Sequence, residues 1–128
     1  MTAFNVDRTI GVATTNYDLY VAGTVLERAD VVLDKVTGYV PAVADILCYK
    51  TDDSNKHMRY DETDAALVIM GVIDEIIEDE TSPADVILIF AVNASCHYSA
   101  LGKDAVNTAA KKLTLVNALR AKNINAVG

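Results

Sequence analysis

Apolar and polar positions change their period along this 128-residue chain, and each change predicts a different element. At the start, Phe4, Val6, Ile10 and Val12 alternate with Asn5, Asp7 and Gly11, the period of two that a β-strand imposes. No turn-forming dipeptide nearby would fold this segment back on itself, and Thr14, Thr15 and Asn16 read as a break. Residues 1–16 are therefore expected to form an extended arm whose apolar side chains must find a partner outside the segment.

The next stretch is punctuated. Leu19-Tyr20-Val21, Thr24-Val25-Leu26 and Val31-Val32-Leu33 read as short strands separated by Gly23 and by the charged run Glu27-Arg28-Ala29-Asp30. Thr37-Gly38 predicts a turn before Tyr39-Val40, residues 45–49 a further short apolar strand, and residues 51–56 a polar loop of turn formers. Strand-like pieces at this spacing indicate a β-rich fold.

The two strongest strand signals follow, at 65–73 and 84–93, joined through a turn at Ser82-Pro83. Gly71 interrupts the first and predicts a bulge, a bend or a close backbone approach. The acidic residues between them, Asp74, Glu75, Glu78, Asp79 and Glu80, are expected to form a solvated connector. The period then becomes helical over 104–121. Val106, Ala109, Ala110, Leu113, Val116 and Leu119 recur at helix spacing, with Lys111, Lys112, Asn117 and Arg120 largely on the other side. Asp104 suits the first turn and Arg120 with Lys122 the last. The helix is expected to pack Val106, Ala110, Leu113 and Val116 against the core. Asn123, tolerant of positive φ, can terminate it.

With 52% hydrophobic residues, a chain of this length is one domain's worth and can bury a core without staples. Its apolar runs of about ten residues fall short of the ~20 a bilayer needs. The opening residues 1–7 lack the basic start and apolar centre of a signal peptide, so a cytosolic origin is expected. A net charge of −7 and a pI near 4.6 argue against a nucleic-acid binder, which needs clustered Lys and Arg. The cations that exist, Lys103, Lys111, Lys112, Arg120 and Lys122, lie mostly along the C-terminal segment and read as a solvated helix face.

Candidate chemistry is sparse. Cys48 and Cys96 could be core residues, a disulfide or thiol nucleophiles, and a reducing cytosol favours the core reading. Cys96 and His97 are adjacent, so in a strand they point to opposite faces and cannot act as nucleophile and base together. Cys48, Cys96, His57 and His97 match a zinc site in number but not in spacing. The acidic run lacks the alternation and turn glycine of a calcium loop, and no phosphate-cradling loop, nucleophile elbow or dinucleotide fingerprint occurs. No catalytic residue, metal or cofactor is expected.

The order of these signals carries a resemblance. The glycine-interrupted run around Gly71, the Ser82-Pro83 turn, the second run and the amphipathic segment ending Ala118-Leu119-Arg120-Ala121-Lys122-Asn123-Ile124 are joined by three earlier features. These are Ala22-Gly23-Thr24-Val25-Leu26-Glu27, Tyr39-Val40-Pro41 and Arg59-Tyr60-Asp61. From about residue 20 onward the chain resembles the lambda-type bacteriophage head decoration, or capsid cement, proteins, departing at Ala91 where many members have glycine. The resemblance implies an α+β, β-rich fold: a compact β-clip or β-tulip-like domain over 17–128 with one C-terminal helix, preceded by the extended arm of 1–16. It implies a structural protein rather than an enzyme, a homotrimer that binds the major capsid protein on the outer surface of the expanded head. There it would stabilise the shell against DNA pressure, with Phe4, Val6, Ile10 and Val12 on the capsid-binding arm and no nucleic acid, membrane or cofactor as partner. The alternative from the residues alone is a small cytosolic β-rich enzyme or ligand-binding domain whose site is assembled from distant Asp, His and Cys side chains.

Overall fold

The computed structural model describes residues 21–52, 55–78 and 86–128. Among them a six-stranded sheet and one α-helix form, as the β-rich pattern with a C-terminal helix predicts: β1 (Val21–Val32), β2 (Ile46–Lys50), β3 (Lys56–Arg59), β4 (Leu67–Glu78), β5 (Val86–His97), a 3-10 turn (Tyr98–Ala100), α1 (Ala109–Arg120) and β6 (Ile124–Val127). The sheet runs β1-β5-β4-β2-β3 with every neighbour antiparallel, while β6 pairs parallel to the end of β5, from Ala94↔Ile124 to His97↔Val127. The capsid-binding candidates Phe4, Val6, Ile10 and Val12 lie outside the described residues.

The sheet curls until its two ends meet. Leaving β1, the N–H of Leu33 donates to Val86 O at 2.7 Å. Three residues on, Val36 N–H donates to His57 O at 2.9 Å, and His57 N–H donates to Asp34 O at 2.7 Å. The continuation of the first edge strand therefore covers the edge of β3 at the far side, which protects that edge from foreign strands.

Three expectations need correcting. The pieces foreseen between residues 19 and 33 are, from Val21, one strand: Glu27 to Asp30 pair with β5, and the polar break in the sequence corresponds to three register shifts at Val21/Val25, Val25/Glu27 and Glu27/Arg28. Charged residues are tolerated there because that part of β1 is an exposed rim. Asp74, Glu75 and Glu78 are not connector but part of β4, and Asp74 is buried, its carboxylate 2.5 Å from Arg28 Nε across β5; Asp79, Glu80 and the Ser82-Pro83 turn lie outside the described residues. Finally, α1 begins at Ala109 rather than near Asp104, because the Thr108 side chain caps it by accepting from Lys111 N–H. It buries Leu115 and Leu119 completely, while Leu113 is 61% exposed and Ala110 is exposed. Apolar residues surround this helix on several sides, so periodicity alone did not single out the face that packs.

Two clusters form the core. On the helix side, Leu115, Leu119 and Ile124 pack with Ile46, Cys48, Val72, Ala91, Ala94 and Cys96. On the other side, Leu47, Ile73, Leu88 and Phe90 pack together. Because β2 and β4 bury alternate residues on both faces, their strands read as continuous apolar runs. Gly71 marks both a bulge and a close approach, as expected: Leu47 pairs with Gly71 but Cys48 with Ile69, and a Cβ on Gly71 would overlap the carbonyl oxygen of Ala91. Asn123 (φ 64°) ends the helical segment in the left-handed region. No helix among the described residues is long and apolar enough to cross a membrane.

Candidate functional site

Two motifs singled out in the sequence converge on a third residue that sequence reading passed over. Asp45 is 3% exposed. Its Oδ2 accepts the Tyr39 hydroxyl and the Ala42 N–H, each at 3.0 Å, and its Oδ1 lies 3.5 Å from Arg59 Nη1. Arg59 reaches on, its Nε donating to Asp104 Oδ2 at 3.1 Å. The backbone laces the same segments together, through Ile46 N–H to Gly102 O (3.0 Å), Gly102 N–H to Ala44 O (2.9 Å) and Asp104 N–H to Tyr60 O (2.8 Å). Gly102 is required here, since a Cβ would run into the Asp45 carboxylate.

The cluster carries strain as well as charge. Ala44 (φ 76°) and Ala105 (φ 62°) flank it in the left-handed region, which costs an alanine on the order of 1–3 kcal/mol. Burial raises the Asp45 carboxyl above its ordinary 3.8, with the Ala42, Tyr39 and Arg59 contacts pulling the other way. Burial, reinforced by Asp45, likewise raises the Tyr39 hydroxyl. Both oxygens of Asp45 are occupied, so the arrangement suits a pin that holds three loops rather than a base open to substrate. The sequence signal was an aspartate at the head of an apolar strand, whose partners are contributed by distant segments.

The sulfur and imidazole candidates are kept apart. Cys48 and Cys96 are free, buried thiols of the helix-side core, pushed by burial up to about 12 and about 11. His57 lies opposite Tyr49 whereas Cys48 lies opposite Met58, so the imidazole and the thiol stand on different faces of the β2–β3 hairpin. The His57 Nδ1 accepts the Asp34 N–H at 2.9 Å. His97 is exposed beside buried Cys96, the alternation expected of a strand. Among the described residues no group of three or more His, Cys, Asp or Glu side chains could hold a metal ion.

Among the described residues, an open concavity of about 500 Å3 lies between β1, β5, β6 and the end of α1, lined in part by Leu26, Asn93, Ser95, Arg120, Asn123 and Asn125. Leu26 is 71% exposed there. An exposed leucine ringed by amides, a hydroxyl and a guanidinium, with no carboxylate in the lining, can receive an apolar side chain and the peptide groups beside it. Comparison with family models, with curated proteins and with solved structures gives no match for the chain.

Proposed function

We propose that this chain is a capsid decoration protein of the lambda type: a homotrimer that binds the outside of an expanded phage head through the major capsid protein and stabilises it against the pressure of packaged DNA. The observation that carries this reading is the position of β1. It is the rim strand of the sheet, residues 1–20 lead directly into it, and it presents Leu26 beside an open concavity lined by amides. An alternating arm continued by a rim strand suits strand addition to another protein, where main-chain hydrogen bonds give affinity and alternate side chains give specificity. Many such contacts repeated over a lattice slow the release of every subunit together. The β-clip or β-tulip arrangement belongs to the same reading.

Electron cryomicroscopy of heads coated with the protein tests it. Density at or near the three-fold positions, continuous with residues 1–16, is expected. Heads without added density would contradict it.

A further inference from the structure

The described arginines differ in what neutralises them. Arg28 holds Asp74, and Arg59 holds Asp45 and Asp104. The Arg120 guanidinium has only a neutral side-chain partner among the described residues, Asn117 Oδ1 at 3.3 Å. It is exposed at the end of α1 and lines the concavity shared with Leu26. The elements β5, α1 and β6 all come from residues 86–128, which hold a single carboxylate, Asp104, already on Arg59. In a chain of net charge −7 the concavity is therefore locally positive.

Its floor is built by strand register. Ala94 and Cys96 are buried in the helix-side core, so Asn93 and Ser95 face the other way. Ser95 pairs with Asn125 of β6 on one side. On the other it neighbours Gly23 of β1, where a Cβ would stand 3.5 Å from the Ser95 Cβ; Gly23 has no side chain to lay over it. Glu27, opposite Asn93, is exposed on the β1 side, across the floor from Arg120. The side chains of Asn93, Ser95, Asn123 and Asn125 make no hydrogen bond to described residues.

This lining selects a class of ligand. Amides and a hydroxyl donate to and accept from peptide groups, a guanidinium grips a carboxylate through two parallel N–H···O bonds, and Leu26 offers aliphatic surface. No aromatic ring is among the lining residues to stack on a sugar, and a single cation is too few for a nucleic-acid backbone. The volume of about 500 Å3 is that of an ordinary ligand cleft.

We propose that the concavity docks an extended peptide segment of a partner protein that carries a carboxylate beside an apolar side chain. Arg120 takes the carboxylate, Leu26 the apolar side chain, and the amides the peptide groups between them. Naming the partner rests on the decoration reading, which makes the segment part of the major capsid protein.

Titrating the full chain with the capped pentapeptide Thr-Val-Asp-Val-Thr, and with its Thr-Val-Lys-Val-Thr counterpart, tests the site by amide chemical shifts. The aspartyl peptide should shift Asn93, Ser95, Arg120 and Asn125 saturably, and the lysyl peptide should not. Arg120→Gln should weaken binding roughly tenfold or more. Gly23→Leu, whose Cβ has room but whose side chain covers Ser95, should abolish it. Absent shifts in the concavity, equal response to both peptides, or unchanged binding by either folded variant would overturn the proposal. If Arg120→Gln does not fold, Gly23→Leu and the paired peptides decide. Bare expanded heads assembled from a lambda-type major capsid protein separate the two claims. A wild type that binds the aspartyl peptide but ignores heads keeps the site and removes decoration. Variants that coat heads with wild-type affinity keep decoration and overturn the site.

Discussion

The Nδ1 of His57 accepts the main-chain N–H of Asp34 at 2.9 Å, at the point where the continuation of β1 closes over β3. Accepting requires an unprotonated Nδ1, and burial holds the imidazole below its ordinary 6.5. The unfolded chain therefore takes up a proton first as pH falls. The stability this group contributes is complete above pH 6.5 and is lost on acidification through that value toward the lower folded-state pKa. His57→Asn, which keeps an acceptor near the Nδ1 position but does not titrate, should show a flatter loss of urea midpoint between about pH 7 and about pH 5. Parallel profiles for wild type and variant would contradict this role.

Asp45 titrates in the opposite sense. Its folded-state pKa is raised, so over the range just above 3.8 the folded chain binds a proton that the unfolded chain does not. Stability from this site consequently increases as pH falls toward 3.8. Measured against Asp45→Asn, the wild type should gain ground between neutral pH and about pH 4. A gap that is constant or shrinks on acidification would show that burial does not dominate at this carboxyl.

The packing face of α1 gives a direct contrast. Leu115→Ala and Leu119→Ala each remove a fully buried side chain and should cost roughly 2–5 kcal/mol in denaturant unfolding. Leu113→Ala, at an exposed position, should cost within about 0.5 kcal/mol in the monomer. Equal losses at 113 and 115 would place the helix differently.

How far the fold was legible follows from which interactions are local. The β4 and β5 runs and the Gly71 irregularity were readable because a long apolar strand and an interrupting glycine are properties of neighbouring residues. Helix existence was readable for the same reason, but its buried face was not: Ala109, Ala110, Leu113, Val116 and Leu119 describe several apolar stripes, and only contact with Ile124 and β4 selects Leu115 and Leu119. Buried Asp74 was taken for connector because its partner Arg28 is 46 residues away. The Tyr39 and Arg59 motifs were noticed, yet their meeting at Asp45 depends on loops brought together only by the sheet. The arm residues Phe4, Val6, Ile10 and Val12 rest on alternation alone.

Gly71 offers a test of the sheet's geometry. A methyl group there meets the ring of Phe90 and the main-chain oxygen of Ala91, and the latter cannot swing aside without moving β5. Gly71→Ala should destabilise the fold by about 1–3 kcal/mol, and Ala91→Gly should not rescue it, because the obstacle is backbone. Full rescue would mean that the Ala91 side chain was the obstacle.

The central claim, that this chain reinforces a phage head, is tested most directly by adding the purified protein to bare expanded heads assembled from a lambda-type major capsid protein. Survival of those heads under heat or osmotic shock is then measured for the full chain and for a form lacking residues 1–16. Saturable binding and restored resistance with the full chain, sharply weakened by the deletion while the domain stays folded, is the predicted result. Heads that neither bind the full chain nor gain resistance from it would contradict the claim.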